Sequence, residues 1–353
     1  MTNSSYCRKI NNNKTNNLIS SIFLLIFAII SKDSFMNYSF LFKISGKNSK
    51  VAYYGRNMLR WLIPAFFTRS KLNSTLKNIN QRKDWKYISD RVNYYNKLSE
   101  KRKLPLDSKT LGEHKLKGQK SVYFFDTYEY TRWFSPQLMW VYIAGDINYV
   151  PALPSIVKAR PIGDKNQNSV LLNLNKVRHF IFVNDKIPYR DKMDKVIFRG
   201  ETDGKPNRQL FVNTFYNHPL CDAGDTAVIP HSHQAESMTI PQHLVYKFIM
   251  CLEGNDVASN LKWVMSSNSI AVMPRPTCET WFMEGRLIPN YHYIEIKPDY
   301  SDFIERINYY IEHPEEAQEI VEHAHEYVNQ FKNKKREKII SLLVLKKYFE
   351  YTN

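Results

Sequence analysis

The stretch from Lys247 to Pro274 constrains the fold more than any other part of the sequence. It consists of "KFIMCLEG", "ND", "VASNLKWVMSSN" and "SIAVMP", that is, an apolar run, a polar loop, an amphipathic segment and a second apolar run. The amphipathic segment repeats apolar residues at helical spacing, at Val257, Leu261, Val264 and Met265. The pattern predicts a compact βαβ unit, and such units are almost always parallel and right-handed.

A second strand-to-helix junction precedes it, in "KVIFRGETDGKPNRQLFVNTFYN". Here the pattern predicts a strand that ends at Arg199 and Gly200, a polar loop, and a helix that opens near Asn207 and Arg208. Three other short apolar runs, "SVYFFDT", "WVYIAGD" and "HFIFVND", contain or end at an aspartate and are also predicted to be strands. Together these runs predict an α/β fold.

The polar loop between the two runs of the βαβ unit is a candidate ligand edge. Asn255 or Asp256 can cap the following helix, whose free N–H groups then face the crevice where open α/β sheets bind ligands. Lys262, one turn into the helix, and Arg199, at the other strand end, could each counter phosphate charge. A plain capping turn contains the same residue types, and the sequence has neither a GxGxxG motif nor a Walker P-loop.

Length and cysteine usage limit the architecture. A chain of 353 residues with 43% hydrophobic residues exceeds the usual single core, so two domains are expected, with a boundary in the charged stretch 185–195. The four cysteines form no CxxC pair, which favours reduced thiols over a disulfide framework or a structural zinc site.

The net charge of +16 is concentrated in the first third of the chain. Residues 1–120 contain 24 Lys/Arg and 6 Asp/Glu, whereas the remaining residues contain 26 and 28. "YYGRNMLRWLIPAFFTRSKL" interleaves basic and aromatic residues, which suits a membrane interface, although a core helix with basic edges is an equal alternative. The apolar run 18–30 is short for a bilayer span and lacks a cleavage site. Residues 1–35 are therefore predicted to be a disordered, apolar leader, either an uncleaved membrane-proximal segment or a stretch upstream of a true start at Met36.

Four long, ordered motifs carry a family resemblance. "KVIFRG", "YKFIMCLEGNDVASNLKWVMSSNS", "ETWFMEG" and "HYIEIKPDYSDF" closely resemble glycosyltransferase family 90, and the bacterial lipopolysaccharide branch looks nearest. Asn260 stands about where the eukaryotic secretory members of the family have an arginine. The resemblance implies a GT-B-like architecture of two Rossmann-type domains with a crevice between them, an inverting reaction and no metal or other cofactor.

The same resemblance implies the donor-binding residues. A UDP-sugar would bind the C-terminal domain at Arg199, Gly200, Arg208, Gly254, Asn255, Asp256, Asn260, Lys262, Glu279 and Glu284. Since the sequence has no Asp-x-Asp, cationic side chains would balance the charge of the departing diphosphate. Glu253 or Asp256 could contact sugar hydroxyls, and Glu284 could accept hydrogen bonds from the ribose.

An inverting transfer also needs a carboxylate that accepts the proton of the acceptor hydroxyl. The resemblance favours Asp126, with Arg132 and aromatic residues around the sugar, and Asp146 is the alternative. His231 and His233 flank a serine in a polar loop without a third ligand nearby, so a metal site there is not expected.

These observations predict a hexosyltransferase that acts on lipopolysaccharide core or another glycan or glycolipid. It would lie at the cytoplasmic face of the inner membrane, bind its anionic surface and bind no nucleic acid. The predicted divisions are an acceptor-side domain at 36–190, a nucleotide-sugar domain at 191–335 and a basic helix at 336–353. The alternative is a basic membrane- or RNA-binding protein with a non-catalytic α/β domain.

Overall fold

The computed structural model describes residues 46–227 and 233–353. The predicted leader at 1–35, with its apolar run, lies outside these residues. Contacts join Lys47–Asn353 into one unit, and the division near residue 190 stays a prediction. Within the described ranges, no helix combines the length and the hydropathy that a bilayer span requires.

The chain before Met193 is mainly helical. Its helices are α1 Lys50–Leu62, α2 Phe66–Arg69, α3 Leu72–Leu76, α4 Trp85–Tyr95, α5 Ser121–Thr131 and α6 Lys176–His179, with 3-10 turns at Ile79–Gln81, Leu111–Glu113 and Tyr189–Asp191. The strands described there are β1 Ser155–Val157, β2 Ala159–Pro161 and β3 Ser169–Leu171. A Rossmann-type domain in this part of the chain therefore remains a prediction.

The prediction of three strands that contain or end at an aspartate in this region is wrong. "SVYFFDT" opens helix α5, "WVYIAGD" makes only an isolated bridge from Tyr142 to Ile156, and "HFIFVND" is mostly irregular after the end of α6. Helix α5 buries seven of its eleven residues, so its sequence shows no polar face. Periodicity cannot separate a short buried helix from a buried strand, which explains the error.

The rest of the chain is built on a five-stranded parallel sheet in the order β5, β4, β6, β7, β9. Its strands are β4 Met193–Gly200, β5 Cys221–Asp225, β6 Tyr246–Met250, β7 Ile270–Met273 and β9 Ile294–Glu295. Phe248 on β6 pairs in parallel with Ile270 on β7, which confirms the predicted parallel pairing of the βαβ unit. The α/β class is therefore confirmed.

Helices cover both faces of this sheet. They are α7 Pro206–Phe215, α8 Ile240–His243, α9 Leu261–Val264, α10 Phe303–Glu312, α11 Pro314–Asn329 and α12 Lys334–Thr352. Strand β8 Cys278–Thr280 pairs antiparallel with β2 and is followed by a 3-10 turn at Glu284–Arg286. On β4, Phe198 packs on one face of the sheet with Phe303, whereas Ile197 joins the core on the other face.

The helix predicted between β6 and β7 is much shorter than the sequence pattern indicated. Helix α9 spans four residues and begins after Asn260, which makes no side-chain cap. The Asn260 side chain donates instead to the carbonyl of Met250, at 2.8 Å, and Asp256 pairs with Lys158 at 2.6 Å. The prediction that Asn255 or Asp256 caps the helix is therefore wrong, because the loop is extended by contacts outside the βαβ unit.

The C-terminal helix returns to the N-terminal part of the chain. Helix α12 packs against α4 and α5. It begins two residues before the predicted start and buries Ile340, Leu345 and Tyr348. Its Glu337 forms an ion pair with Arg91 of α4, which is fully buried. Residues of α4 and of α12 therefore share one core with residues from one face of the sheet.

Candidate functional site

A cavity of about 180 Å³ lies at the carboxyl edge of the parallel sheet. Its walls follow the ends of β6 and β7, and its apolar lining includes Leu252, Val257, Ala258, Leu261, Met273 and Tyr300. Glu253, Arg275, Thr277 and Glu284 supply polar groups to the same walls. The cavity lies where the sequence predicted a ligand edge, because loops after neighbouring parallel strands converge there.

Arg208 connects the loop after β4 with the loop after β6. Its guanidinium donates to the carbonyls of Leu252, Glu253 and Glu201, at 2.9, 3.1 and 3.1 Å. A Cβ at Gly254 would lie 3.1 Å from Nη2 of Arg208, so the close approach favours glycine there. Of the predicted donor residues, Arg208 and Gly254 are thus brought together at the cavity edge.

Arg199 and Gly200 end β4, as predicted, but Arg199 is already paired. It donates to the side chain of Asp222 at 2.6 Å and to the backbone carbonyl of Asp222 at 2.7 Å. The Asp222 carboxylate also accepts a hydrogen bond from Tyr246 at 2.6 Å. These contacts hold the Arg199 guanidinium against β5 and leave its role in phosphate binding a prediction.

Lys262 and Glu284 form a buried ion pair at 2.5 Å beside the cavity. The Lys262 side chain is fully buried. Glu284 also accepts from the Thr280 backbone N–H at 2.6 Å and from the Thr280 hydroxyl. The pair therefore fixes the cavity wall, and Lys262 offers no exposed charge to a ligand.

The remaining predicted donor residues differ in exposure. Glu279 is 2% exposed and bonded to Arg160 at 2.7 Å and to Tyr94, so it joins β8 to the N-terminal part of the chain. Asn260 is bound to Met250 as described, whereas Asn255 is exposed at the tip of the loop. Glu279 and Asn260 thus make structural contacts here.

Glu253 closes one side of the cavity. Its carboxylate accepts from the backbone and hydroxyl of Thr277, at 3.0 and 2.6 Å, and from the backbone of Cys278 at 3.2 Å. Burial raises the pKa of this carboxyl, although these hydrogen bonds oppose the shift. Both Glu253 oxygens are therefore occupied by the neighbouring loop.

A bridge of three charges joins the acceptor-side residues to the polar loop. Lys158 is 2% exposed and its ammonium contacts the carboxylates of Asp146 and Asp256, the latter at 2.6 Å. Burial raises the pKa of the Asp256 carboxyl, and Lys158 opposes that shift. Burial would also raise the pKa of Asp146, but the hydrogen bond and charge of Lys158 outweigh it and lower the pKa. Asp146 therefore stays ionised at neutral pH.

Asp126 lies in a different environment from the one the sequence predicted. It sits in the middle of α5, is fully buried, and accepts from the Tyr53 hydroxyl at 2.8 Å and the Lys176 backbone N–H at 2.9 Å. Arg132, expected near a sugar, is also buried and donates to the carbonyls of Arg60 and Ile63 at the end of α1. Both residues hold helices together.

Sequence reasoning missed Lys158, Arg178 and His179. Lys158 lies in "SIVKARPI", where nothing in the pattern distinguishes it from a surface lysine, although it stands between two buried strands. His179 opens the run "HFIFVND", which was predicted to be a strand, and Arg178 directly precedes that run. The signal that could have singled out Lys158 is its position between apolar residues on both sides, which favours a buried lysine.

Among the described residues, no group of three His, Cys, Asp or Glu side chains is arranged to hold a metal ion. His231 lies outside the described residues, so the loop with His231 and His233 stays untested.

Comparisons with known proteins place this site in a family. Residues 170–350, which contain the parallel sheet and the cavity, match the family described as Glycosyl transferase family 90. The chain belongs to this family. It is therefore a glycosyltransferase, which confirms the resemblance.

Two curated relatives agree with the family match. The chain is 40% identical over 266 residues to O-glucosyltransferase LpsA of Dichelobacter nodosus, covering 74% of this chain and 82% of that protein. It is 28% identical over 137 residues to Protein O-glucosyltransferase 3 of Rattus norvegicus, covering 37% of this chain and 27% of that protein. Both names describe glucosyl transfer to an oxygen atom.

Proposed function

We propose that this glycosyltransferase moves a hexose, with glucose the first candidate, from a UDP-sugar to a glycan acceptor with inversion at the anomeric carbon. The supporting observation is that the cavity at the sheet edge adjoins the bridge of Asp146, Lys158 and Asp256. Val257 lines the cavity and directly follows Asp256, so a donor in the cavity can extend toward the bridge.

The donor nucleoside would occupy the cavity. The apolar walls formed by Leu252, Val257 and Tyr300 suit a flat base, and the polar groups of the rim suit ribose hydroxyls. Arg208 would hold the loop carbonyls around it in place. The GT-B-like arrangement belongs to the same proposal, and the parallel sheet supports its C-terminal half.

Asp146 is the better candidate for the base, although the sequence favoured Asp126. About 28% of the Asp146 side chain is exposed, whereas Asp126 is fully buried and its oxygens accept bonds from Tyr53 and Lys176. A base must come within hydrogen-bond reach of the acceptor hydroxyl, and only Asp146 of the two can be reached. Gly145, with φ of 122°, gives the chain the turn that presents Asp146.

The chemical step then follows in one displacement. The acceptor hydroxyl gives its proton to an Asp146 oxygen while the hydroxyl oxygen bonds to the anomeric carbon. The bond from that carbon to the diphosphate oxygen breaks on the opposite face, and UDP leaves with the electron pair. Because the sequence lacks Asp-x-Asp, we expect cationic side chains to stabilise the departing charge without a metal.

The acceptor would be lipopolysaccharide core or a related glycolipid, as the similarity to LpsA suggests. An anionic lipid surface is the second expected partner. Between residues 47 and 83 the chain has nine Lys/Arg and no Asp/Glu, and Trp61, Phe66 and Phe67 of the same segment are 44, 65 and 56% exposed. Exposed aromatic side chains among basic residues suit the interface of an anionic bilayer at the cytoplasmic face.

The lipid surface can be tested by co-sedimentation with phosphatidylglycerol vesicles and with uncharged phosphatidylcholine vesicles. Charge reversal at Arg56 and Lys71, which are exposed, should release the protein from the anionic vesicles only. Arg60 is left unchanged because it pairs with Glu129 at 2.9 Å. Equal sedimentation of the variant and the unaltered chain would contradict this partner.

The transferase activity can be tested directly. We would incubate the full chain with UDP-glucose or UDP-galactose and lipopolysaccharide core oligosaccharide, measure released UDP, and determine the product's anomeric configuration by NMR. We expect inversion, and turnover that survives excess EDTA. Retained configuration, or loss of turnover that manganese restores, would contradict the proposal, and so would the absence of thermal stabilisation by any UDP-hexose.

A further inference from the structure

Another cavity, larger than the donor cavity, lies between α3 and α12. Its volume is about 410 Å³, against about 180 Å³ for the donor cavity. We call it the α3–α12 groove, and its lining residues are Leu72, Asn73, Leu76, Phe134, Leu138, Lys346, Phe349 and Glu350. They are distinct from the residues assigned to the donor and to the base, so the proposed reaction leaves this groove unused.

The groove has an aromatic floor and leucine walls. The rings of Phe134 and Phe349 lie 5.0 Å apart, and both residues are buried in the core. Leu72 and Leu76, one turn apart on α3, are half-buried, as is Leu138. The interior therefore offers an occupant hydrophobic contact rather than hydrogen bonds.

The rim of the groove is basic on the α3 side. Lys71 and Lys77 flank α3, and both are exposed. They belong to the stretch 47–83, which has nine Lys/Arg and no Asp/Glu. On the α12 side, Lys346 and Glu350 pair with each other and add no net charge. An apolar interior with a cationic rim matches an amphiphile that has an anionic head group.

The exposed apolar residues from the end of α1 through α2 lie close to the groove. Arg132 stands two residues before Phe134 of the groove floor. It donates to the carbonyl of Ile63 at 2.6 Å, and its own carbonyl accepts from the Thr68 hydroxyl at 3.1 Å. Ile63 and Phe67 are 52 and 56% exposed. The face that the proposed function assigns to an anionic bilayer therefore continues into the α3–α12 groove.

We propose that the α3–α12 groove binds one acyl chain of an anionic phospholipid from that bilayer. The acyl chain would lie against Phe134 and Phe349, and the phosphate would lie at the rim near Lys71 and Lys77. This contact removes the acyl chain and the apolar walls of the groove from water, and it adds to the charge attraction of the basic stretch. The inference rests on the proposed function, because it assumes that the protein lies on an anionic lipid surface.

The charge and the lining of the groove argue against two other occupants. A second copy of the chain would bring the same basic stretch to this face, and like charges across an interface oppose association. A sugar of the acceptor would need hydrogen-bond partners for its hydroxyls, whereas the lining consists mainly of leucine and phenylalanine side chains. An acyl chain of the glycolipid acceptor has the same chemistry as that of a phospholipid, and competition between the two lipids separates these sources.

The test uses phosphatidylglycerol vesicles in which a photoreactive diazirine stands near the end of one acyl chain. The full chain is irradiated on these vesicles, and the labelled peptides are identified by mass spectrometry. We expect label on the peptides that contain Leu138 and Phe349, because these residues lie in the groove but outside the basic stretch. Label confined to residues 47–83 would overturn the inference and leave the proposed lipid surface intact.

A double variant, Leu72→Gln with Leu76→Gln, makes one wall of the groove polar. It should lose the label at Leu138 and Phe349, and its partition coefficient on the same vesicles should fall roughly tenfold, because an acyl chain no longer gains apolar contact there. The matched control is Leu106→Gln, at a leucine that is 95% exposed and lies outside the groove, and it should change neither quantity. Melting temperatures of both variants would show that the fold is kept. Unchanged label in the folded double variant would contradict the inference.

Competition identifies the source of the acyl chain. If excess unlabelled lipopolysaccharide removes the label from Leu138 and Phe349 while the protein stays on the vesicles, the groove binds the acceptor, and the assignment to a phospholipid is overturned. Loss of this label as a dimer forms at higher protein concentration would assign the groove to a second copy and overturn the inference as well. If the unaltered chain binds phosphatidylglycerol vesicles no better than phosphatidylcholine vesicles, the proposed lipid partner fails first.

Discussion

The surroundings of Asp126 and of Asp146 show how differently one protein can use the same side chain. Asp126 is fully buried in α5, where the Tyr53 hydroxyl and the Lys176 backbone N–H both donate to it. Asp146 follows a glycine in an irregular segment, is partly exposed, and shares the ammonium of Lys158 with Asp256. Asp126 joins two helices, α1 and α6, whereas Asp146 joins the N-terminal part of the chain to the polar loop after β6.

The difference shows what distinguishes an anchor from a candidate base. An anchor, here a buried carboxylate that holds helices together, stabilises the fold most when its oxygens accept hydrogen bonds and water is excluded. Its hydrogen bonds then fix the elements that donate them. A base needs an oxygen that substrate can reach, together with a neighbour that keeps it ionised. Asp126 meets the first description, and Asp146 meets the second.

The largest expected difference between the two aspartates is the loss of turnover when each is replaced by asparagine. Asp146→Asn is nearly isosteric but cannot take the proton, so we expect turnover to fall by roughly two to four orders of magnitude. The matched control is Asp126→Asn, for which we expect a loss of less than about tenfold. Asp126 is buried away from any substrate, its ion pair with the Lys176 ammonium is long at 3.5 Å, and asparagine keeps one acceptor oxygen. Steady-state kinetics with the UDP-hexose that supports turnover would measure both, and a greater loss in Asp126→Asn would return the base to that residue.

The second expected difference is in stability, where replacing Asp126 should cost more than replacing Asp146. Asp126→Ala leaves the Lys176 backbone N–H without its buried acceptor, whereas the Tyr53 hydroxyl can still donate to the carbonyl of Val122 at 3.1 Å. The variant should therefore cost about 1–3 kcal/mol of the free energy of unfolding. Asp146→Ala removes a partly exposed carboxylate while Lys158 keeps Asp256, so the cost should stay below about 1 kcal/mol. Urea denaturation of both variants would measure this, and equal costs would show that the bridge is also a structural anchor.

The sequence predicted β4, β6 and β7 because these strands are short apolar runs bounded by polar loops, as around Lys247–Pro274. It did not predict β5, whose residues Cys221–Asp225 include two aspartates and a glycine. It failed at "SVYFFDT", where a helix buried on nearly all sides has the composition of a strand. The cavity edge was predictable because parallel strands share a carboxyl edge. The pairing of Lys158 with Asp256, and of Lys262 with Glu284, was not, since each pair joins residues whose proximity depends on tertiary packing.

The smallest effect is a difference in how pH changes stability. Burial raises the pKa of Asp126 above its ordinary value of 3.8, although the charge and N–H of Lys176 and the Tyr53 hydroxyl oppose the shift. Burial would also raise the pKa of Asp146, but Lys158 and Arg178 lower it. A raised carboxyl pKa contributes stability that is fully present below pH 3.8 and is lost as pH rises through the folded-state value. A lowered carboxyl pKa contributes stability that is present above pH 3.8 and is lost as pH falls through the folded-state value.

We therefore expect the unaltered chain to exceed Asp126→Asn in free energy of unfolding by less as pH rises above 3.8. Its excess over Asp146→Asn should shrink instead as pH falls below 3.8. Urea denaturation across this range would give both differences, and slopes of the same sign would refute the contrast between the two sites.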